Sequence, residues 1–252
     1  MASEFRQEKI ALAAFDVYGT LLDTSSITEA IQKHLGVIPD VASKISGSWR
    51  KHQLEYTWRL NSMGYYESFD VVTKKSLFNA TAEHGIRIDE TMAASLLEAY
   101  HRLDPFGDTL PALQGLAELP HVKVIIFSNG TQKMVTTALQ STGTSLSSLP
   151  DGMYFADSVS RYKPAPEIYH GLVSYLNNST HDIYQPSNVW LVSGNPFDVT
   201  GARSAGLSAF WIDRSGTGWL DRISPDGHDL TPNKVIKDLR EITDFLTPRE
   251  TE

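Results

Sequence analysis

Phe15-Asp16-Val17-Tyr18-Gly19-Thr20-Leu21 follows directly after the apolar run 10–14 and decides how the chain is interpreted. The apolar run has the length of a buried strand, and Gly19 marks an abrupt turn after it. In an open parallel sheet the functional groups lie at the carboxyl ends of the strands. Asp16 therefore stands where a carboxylate nucleophile belongs. A single Asp after an apolar run is usually a turn or capping residue, so other segments must decide between the two interpretations.

The composition indicates a globular protein with a proper core. The chain has 252 residues, of which 41% are hydrophobic and 21% charged, enough for one large domain or a domain with an insertion. The formal net charge of −8 disfavours a nucleic-acid partner, which needs a basic surface. The absence of cysteine excludes disulfides and thiolate metal sites. Neither a signal region nor a membrane-length apolar run occurs, so we expect a cytoplasmic protein without a membrane partner.

Apolar runs that end in small or polar residues predict the strands of a parallel core. The segments are 10–15, 122–127, 153–156, 189–192 and 209–212. Helical patterns follow the three clearest runs, 10–15, 122–127 and 189–192. This alternation predicts an α/β fold with a doubly wound, Rossmann-like parallel sheet. The tail, 231–245, predicts one last helix after a polar loop.

About a hundred residues with no strand pattern separate the first two clear strands. Amphipathic patterns predict helices over 24–35, 41–63, 69–84 and 90–103. Gly36 and Gly85 stand where two of these helices would end. Because so many helices cannot form a single crossover, we predict an inserted helical cap domain, 24–104. The α/β core domain would then comprise 1–23 and 105–252.

Four further polar strings occur in order along the chain. They are Trp49-Arg50-Lys51-His52-Gln53-Leu54 within the inserted helices, Ser128-Asn129-Gly130-Thr131, Tyr162-Lys163-Pro164 with Tyr169 six residues after the lysine, and Ser193-Gly194-Asn195-Pro196-Phe197-Asp198. Three of the four lie in the segment predicted as core, and two of those directly follow predicted strands.

Residue chemistry gives each string both a functional and a plain interpretation. The Ser128 hydroxyl and the N–H groups after it can bind a substrate carboxylate, although Ser-Asn-Gly is a common loop tripeptide. Asp198 can pair with Lys163 and orient water if a helix begins just before it. Asn195 could equally cap that helix, with Asp198 complementing its dipole. Arg50 and Lys163 could each be solvated surface charges.

Together these strings resemble the haloacid dehalogenase superfamily, and specifically its type II L-2-haloacid dehalogenase branch, along nearly the whole chain. The first motif matches as Phe15-Asp16-x-Tyr18-Gly19-Thr20-Leu21-x-Asp23. Most members of the superfamily are phosphatases or phosphotransferases with a second Asp two residues after the nucleophile. Tyr18 occupies that position here. The resemblance therefore implies a dehalogenase with the expected α/β core and helical cap.

The resemblance implies displacement at the halogen-bearing carbon of a short 2-haloalkanoic acid, with no cofactor and no metal. Asp16 would attack that carbon from behind, halide would leave toward Arg50 and Asn129, and water would hydrolyse the aspartyl ester with inversion to the 2-hydroxy acid. The implied catalytic residues are Asp16, Thr20, Arg50, Ser128, Lys163, Tyr169, Ser193, Asn195 and Asp198. The implied substrate-binding residues are Val17, Tyr18, Arg50, Leu54, Phe69, Ser128, Asn129 and Phe197.

Two alternatives stay open from the sequence. A metal-dependent phosphatase on the same fold would need an acid at position 18 and more carboxylates than Asp16 and Asp198. A non-catalytic binding protein is the second alternative, because a fold does not fix a function. Three residues, Gly194, Phe197 and Lys51, differ from those that are frequent in the resembling branch. They leave the preferred chain length of the substrate open. The family is often dimeric, so a homodimer is a further expectation.

Overall fold

One parallel sheet of six strands forms the centre of the computed structural model, which describes residues 11–142, 146–179 and 183–247. The strands are β1 (Ala11–Phe15), β2 (Val122–Ser128), β3 (Gly152–Phe155), β4 (Val189–Ser193), β5 (Ser208–Ile212) and β6 (Lys234–Ile236). Their order across the sheet is β3-β2-β1-β4-β5-β6, so the chain winds outward in both directions from β1. The expected doubly wound α/β architecture is confirmed.

The three central strands end together at one edge of the sheet. Phe15 of β1 pairs with Ile126 of β2 on one side and with Val192 of β4 on the other. These strands are buried along almost their whole length, which explains why they are continuous apolar runs in the sequence. The residues that follow Phe15, Ile126 and Val192 therefore meet at the carboxyl edge, between β1 and its two neighbours.

The first four of the helices that the structure describes between β1 and β2 are α1 (Ile27–Leu35), α2 (Pro39–Met63), α3 (Phe69–Glu83) and α4 (Glu90–Tyr100). Their ends follow ordinary capping rules. Gly36 ends α1 with φ at 64°, and Asp89 caps α4 by accepting a hydrogen bond from the Met92 N–H. In the described part of the chain, no helix is long and apolar enough to cross a membrane.

The remaining helices of the described residues are α5 (Thr109–Ala117), α6 (Gln132–Ser141), α7 (Pro166–Ser179), α8 (Pro196–Ser204) and α9 (Glu241–Leu246). Helix α8 follows β4 directly, and its proline occupies the first helical position. Short 3₁₀ turns occur before α1, β3 and β4 and after β3. Residue 10, expected to open the first strand, lies outside the described residues.

The prediction of one last helix in the tail was confirmed, but the strand that precedes this helix was not predicted. The segment first forms the edge strand β6, in which Ile236 pairs with Ile212, and only then the short helix α9. Lys234 and Val235 are exposed while Ile236 is buried. A strand of three residues with one buried side chain is too short to give a periodic pattern. Its conformation depends on pairing with β5, which the local sequence does not encode.

An ion pair joins the two connections between the sheet and helices α1–α4. Arg214 donates to the carbonyl oxygen of Thr20 over 2.8 Å and forms a salt bridge with Asp108 over 2.9 Å. The guanidinium also lies 3.8 Å from the centre of the Phe106 ring. Because Thr20 precedes the inserted helices and Asp108 follows them, Arg214 fixes both connections to the core.

Replacing Arg214 with Met should lower the free energy of unfolding by about 2 kcal/mol, because the Asp108 carboxylate and the Thr20 carbonyl lose a charged donor. Urea denaturation measures this change. Arg240→Met is the matched control: it breaks an exposed ion pair with Asp238 and should change stability little. Equal effects of the two substitutions would contradict a structural role for Arg214.

Candidate active site

Asp16 lies at the carboxyl end of β1, and its carboxylate is held on both oxygens. Oδ2 accepts hydrogen bonds from the Thr20 hydroxyl at 2.8 Å and the Asn195 amide at 2.7 Å, while the Ser193 hydroxyl stands farther away at 3.5 Å. Among the residues that the structure describes, Oδ1 accepts only from the Lys163 ammonium, at 3.2 Å. The residue is 6% exposed. The arrangement restrains Oδ2 and leaves Oδ1 as the less encumbered oxygen.

Two glycines let the loops after β1 and β4 approach each other. Gly19 has φ at 87°, and a Cβ there would lie 3.3 Å from the Asn195 amide oxygen. A Cβ on Gly194 would lie only 2.4 Å from the carbonyl oxygen of Gly19. Any side chain at position 194 therefore pushes the two loops apart, and with them the Asn195 amide and the Asp16 carboxylate.

Lys163 is a buried cation between two carboxylates. Its ammonium donates to Asp198 Oδ2 at 2.7 Å and to the carbonyl oxygen of Phe127 at 2.8 Å, in addition to Asp16. Only 1% of the residue is exposed. The interpretation of Lys163 as a solvated surface lysine is therefore wrong, because its charge is satisfied entirely within the protein.

Asp198, in the first turn of α8, is fully buried. Its Oδ1 accepts a hydrogen bond from the Tyr169 hydroxyl at 2.8 Å. Desolvation by burial raises the pKa of Asp198 to about 6, although the Lys163 cation beside it acts in the opposite direction. A carboxyl group with such a pKa is ionised at neutral pH and can still accept a proton.

Asn195 occupies the N-cap position of α8 but does not cap the helix with its side chain. Its amide nitrogen donates instead to Asp16 and, at 2.9 Å, to the carbonyl oxygen of Tyr18. The interpretation of Asn195 as a capping residue is therefore wrong. Its side chain instead holds the Asp16 carboxylate at the end of β1.

Ser128 is the last residue of β2, and Asn129 begins the loop after it. Ser128 is fully buried, and its hydroxyl oxygen accepts from the Gly130 N–H at 3.0 Å. The hydroxyl proton is thus left to donate. The Asn129 amide oxygen accepts from the Lys163 backbone N–H at 2.9 Å, which ties this loop to the segment that carries the lysine.

Arg50 reaches this edge of the sheet from α2. One guanidinium nitrogen donates to the carbonyl oxygen of Tyr18 at 3.0 Å and lies 3.5 Å from the Asn195 amide oxygen; the other donates to Gln53 at 2.8 Å. The Gln53 amide is fully buried, accepts from the Tyr100 hydroxyl and donates to Thr73. Gln53 was not among the site residues predicted from the sequence. Its only signal was its position one helical turn after Arg50.

The far end of α2 is attached to the segment that precedes Lys163. The Asn61 side chain donates to the carbonyl oxygen of Tyr162 at 2.7 Å and accepts from the Tyr162 N–H at 3.0 Å. Because Arg50 and Asn61 are about three helical turns apart, they lie on the same face of α2. This paired contact fixes the helix against the core.

The residues expected to form an apolar wall divide into two groups. Tyr18 and Phe69 are buried with ring centres 5.9 Å apart, and Val17 is buried in the turn that carries Tyr18. Leu54 and Phe197 are half-buried. Phe197 packs edge-on against Trp58 of α2, at a centre distance of 5.5 Å, where the inserted helices meet the core.

The donor set at this edge of the sheet does not resemble a metal site. Across residues 11–142, 146–179 and 183–247, no group of three or more His, Asp and Glu side chains is arranged to hold an ion. Asp16 and Asp198 are bridged by the Lys163 cation, which occupies the position between them.

The carboxyl carbon of Asp198 should titrate with a midpoint near pH 6 in ¹³C NMR, because desolvation disfavours its ionised form. Lys163→Met should raise this midpoint further, since the lysine cation lowers the pKa. Asp238 is the control: hydrogen bonds from Arg240 lower its pKa, so it should titrate below the ordinary range. A midpoint for Asp198 near 4, the usual aspartate value, would contradict the assignment.

The chain is similar to proteins of known activity. A family model described as haloacid dehalogenase-like hydrolase matches residues 10–206. The (S)-2-haloacid dehalogenase of Xanthobacter autotrophicus is 34% identical over 246 residues, covering 95% of this chain and 91% of that protein. Haloacetate dehalogenase H-2 of Moraxella sp. (strain B) is 34% identical over 209 residues, covering 83% and 88%.

The fold is shared with a solved structure as well. The structure of the L-2-haloacid dehalogenase from Xanthobacter autotrophicus with chloropropionic acid covalently bound matches with a TM-score of 0.79 at 28% identity. The match covers 94% of this chain and 98% of that one. Since the family model spans most of the sequence and the Xanthobacter relative matches 95% of it, the chain belongs to the haloacid dehalogenase-like hydrolases.

Proposed function

We propose that the protein hydrolyses the carbon–halogen bond of short 2-haloalkanoic acids through an ester on Asp16. The observation that carries this proposal is the buried Asp16 carboxylate at the carboxyl edge of the sheet. One of its oxygens is held by Thr20 and Asn195, and the other lies beside Lys163. The names of the two curated relatives support the substrate class. The covalent chloropropionic acid in the related solved structure supports the intermediate.

In the first step Asp16 Oδ1 forms a bond to the halogen-bearing carbon while the carbon–halogen bond breaks on the opposite side. The halide takes the bonding electron pair and leaves toward Arg50 and Asn129. The substrate carboxylate accepts hydrogen bonds from the Ser128 hydroxyl, whose proton is left to donate, and from N–H groups of the same loop. Backside attack inverts the carbon, so an L-2-haloacid gives a D-2-hydroxy acid.

In the second step water attacks the carbonyl carbon of the Asp16 ester, and the carbon–oxygen bond of the former carboxylate breaks to release the hydroxy acid. Asp198 takes a proton from that water, for which its pKa of about 6 is suitable, and gives it to the oxygen of the departing hydroxy acid. Lys163 and Tyr169 orient Asp198, and Asn195 with Thr20 holds the oxygen that becomes negative in the tetrahedral intermediate.

We propose that this chemistry needs no metal, in contrast to a phosphatase on the same fold. A phosphoryl group brings negative charge beside an anionic aspartate, which a metal must neutralise. A haloacid presents a neutral carbon instead, and Lys163 already supplies a fixed positive charge. Tyr18 stands where a phosphatase has its second acid. A non-catalytic role is disfavoured because Asp16, Lys163 and Asp198 form one connected charge cluster.

We further propose that residues 24–104 act as the cap domain and that 1–23 with 105–252 form the core domain. The cap would supply Arg50, Leu54 and Phe69 to the substrate, while the core supplies Val17, Tyr18 and Phe197. Ser193 would act with Thr20 beside the nucleophile, although its hydroxyl is 3.5 Å from Asp16. A homodimer and a cytoplasmic location stay predictions from the sequence.

A single turnover of L-2-chloropropionate in ¹⁸O-labelled water should place the label in Asp16 and not in the product, because water attacks the ester carbonyl. Peptide mass spectrometry of residues around Asp16 measures this. Asp16→Asn should release no halide, since an amide is a far weaker nucleophile. Label that appears directly in the hydroxy acid would exclude the covalent mechanism.

Assays of halide release and phosphate release distinguish the dehalogenase from the phosphatase alternative. Halide release that survives exhaustive EDTA treatment, together with negligible release of phosphate from p-nitrophenyl phosphate in the presence of Mg²⁺, supports the dehalogenase. Metal-dependent phosphate release without halide release supports the phosphatase instead.

Arg50→Ala should reduce halide release at least about a hundredfold, because the departing halide loses its cation, while the melting temperature changes little. Gln53→Met should give a smaller loss of about tenfold, since Arg50 keeps its contact with the Tyr18 carbonyl but loses the amide that orients it. Arg59→Ala on the same helix is the control: Arg59 pairs with Glu55 on the surface and should leave turnover unchanged. Unfolding of the Arg50 variant with normal activity per folded molecule would make Arg50 structural.

A further inference from the structure

The hydroxyl group of Tyr18 is buried without a hydrogen-bond partner among the described residues. The residue as a whole is 2% exposed. A buried hydroxyl that makes no hydrogen bond destabilises the folded protein, and such groups are uncommon. If Tyr18 served only as an apolar wall, a phenylalanine would fill the same space without this cost. The hydroxyl group therefore requires an explanation beyond packing.

The hydroxyl end of the Tyr18 ring lies against the loop after β2. A Cβ on Gly130 would be 2.8 Å from the ring carbon Cε2, which neighbours the carbon that bears the hydroxyl. The same point is 3.3 Å from the Ser128 hydroxyl oxygen. The phenol and the Ser128 hydroxyl thus border one small space, and the lack of a side chain at Gly130 keeps it open.

The other neighbours of the phenol have partners elsewhere. The Tyr100 ring stacks on Tyr18 at a centre distance of 5.6 Å, but its hydroxyl donates to Gln53. Arg50 donates to the Tyr18 carbonyl and not to its ring oxygen. Burial, and then the nearby Tyr100, raises the pKa of Tyr18 well above its ordinary value. The phenol therefore keeps its proton and is available as a donor to an anion.

We propose that the Tyr18 hydroxyl donates a hydrogen bond to the carboxylate of the bound substrate, beside the Ser128 hydroxyl. Tyr18 is then a residue that selects carboxylate-bearing ligands, in addition to forming the apolar wall. This inference rests on the proposed function, because it takes the loop after β2 as the carboxylate site. The halogen of the bound substrate then faces Arg50.

Tyr18→Phe tests the proposal through the binding of two unreactive probes, propionate for the carboxylate and bromide for the halide. Isothermal titration calorimetry should show propionate binding weakened about tenfold, the contribution of one hydrogen bond to a charged group, and bromide binding unchanged. The melting temperature of the free variant should not fall, because the removed hydroxyl had no partner. Tyr175→Phe, which alters a half-buried tyrosine on α7, is the control and should change neither affinity.

Unchanged propionate affinity in Tyr18→Phe overturns the proposal. A selective loss of bromide binding also overturns it, because the Tyr18 hydroxyl would then bind the halide and not the carboxylate. A lower melting temperature with parallel loss of both affinities would make the hydroxyl structural and also overturns it. Wild-type protein that binds propionate through Tyr18 but releases no halide contradicts the proposed function and leaves this inference intact. Wild-type protein that binds no propionate refutes the inference, whether or not it turns over a haloacid.

Discussion

The buried ammonium of Lys163 is the interaction on which the site depends. Two carboxylates, Asp16 and Asp198, stand within hydrogen-bond distance of it, and hardly any of the three groups is exposed. Without the cation, burial and the nearby Asp16 carboxylate would raise the pKa of Asp198 further. With it, one carboxylate can serve as a nucleophile while the other, whose pKa is raised, can accept a proton. The close contact of the loops after β1 and β4, at Gly19 and Gly194, holds the Asn195 amide on Asp16 beside this cluster.

The inserted helices complete the site with a second cation at a distance from the first. Arg50 does not join the cluster around Lys163; it binds the Tyr18 carbonyl and is oriented by the buried Gln53 amide. The two positive charges thus belong to different parts of the fold: Lys163 follows β3 in the core, and Arg50 lies on α2. In the proposed displacement this separation lets Lys163 hold the attacking carboxylate while Arg50 stabilises the halide that leaves.

The sequence predicted the sheet and the positions of the charged residues well, for physical reasons. Strands buried on both faces are unbroken apolar runs, and the residues that end them, Asp16 and Ser128, must meet at one edge. Contacts between distant segments were not encoded locally. Strand β6 depends on pairing with β5, Gln53 has the pattern of any helix amide, and Asn195 has the pattern of a cap. Only the folded chain shows that their partners lie far away in the sequence.

The pair of hydrogen bonds between Asn61 and the Tyr162 backbone has a kinetic consequence. Helix α2 carries Arg50, and the peptide that Asn61 holds is directly followed by Lys163. Widening the cleft on this side must either break both bonds at once or carry the lysine segment along with the helix. In the first case ligand exchange has a discrete barrier, and in the second it disassembles the charge cluster. Opening the structure between α2 and the lysine segment therefore costs either this pair of hydrogen bonds or the contacts of Lys163.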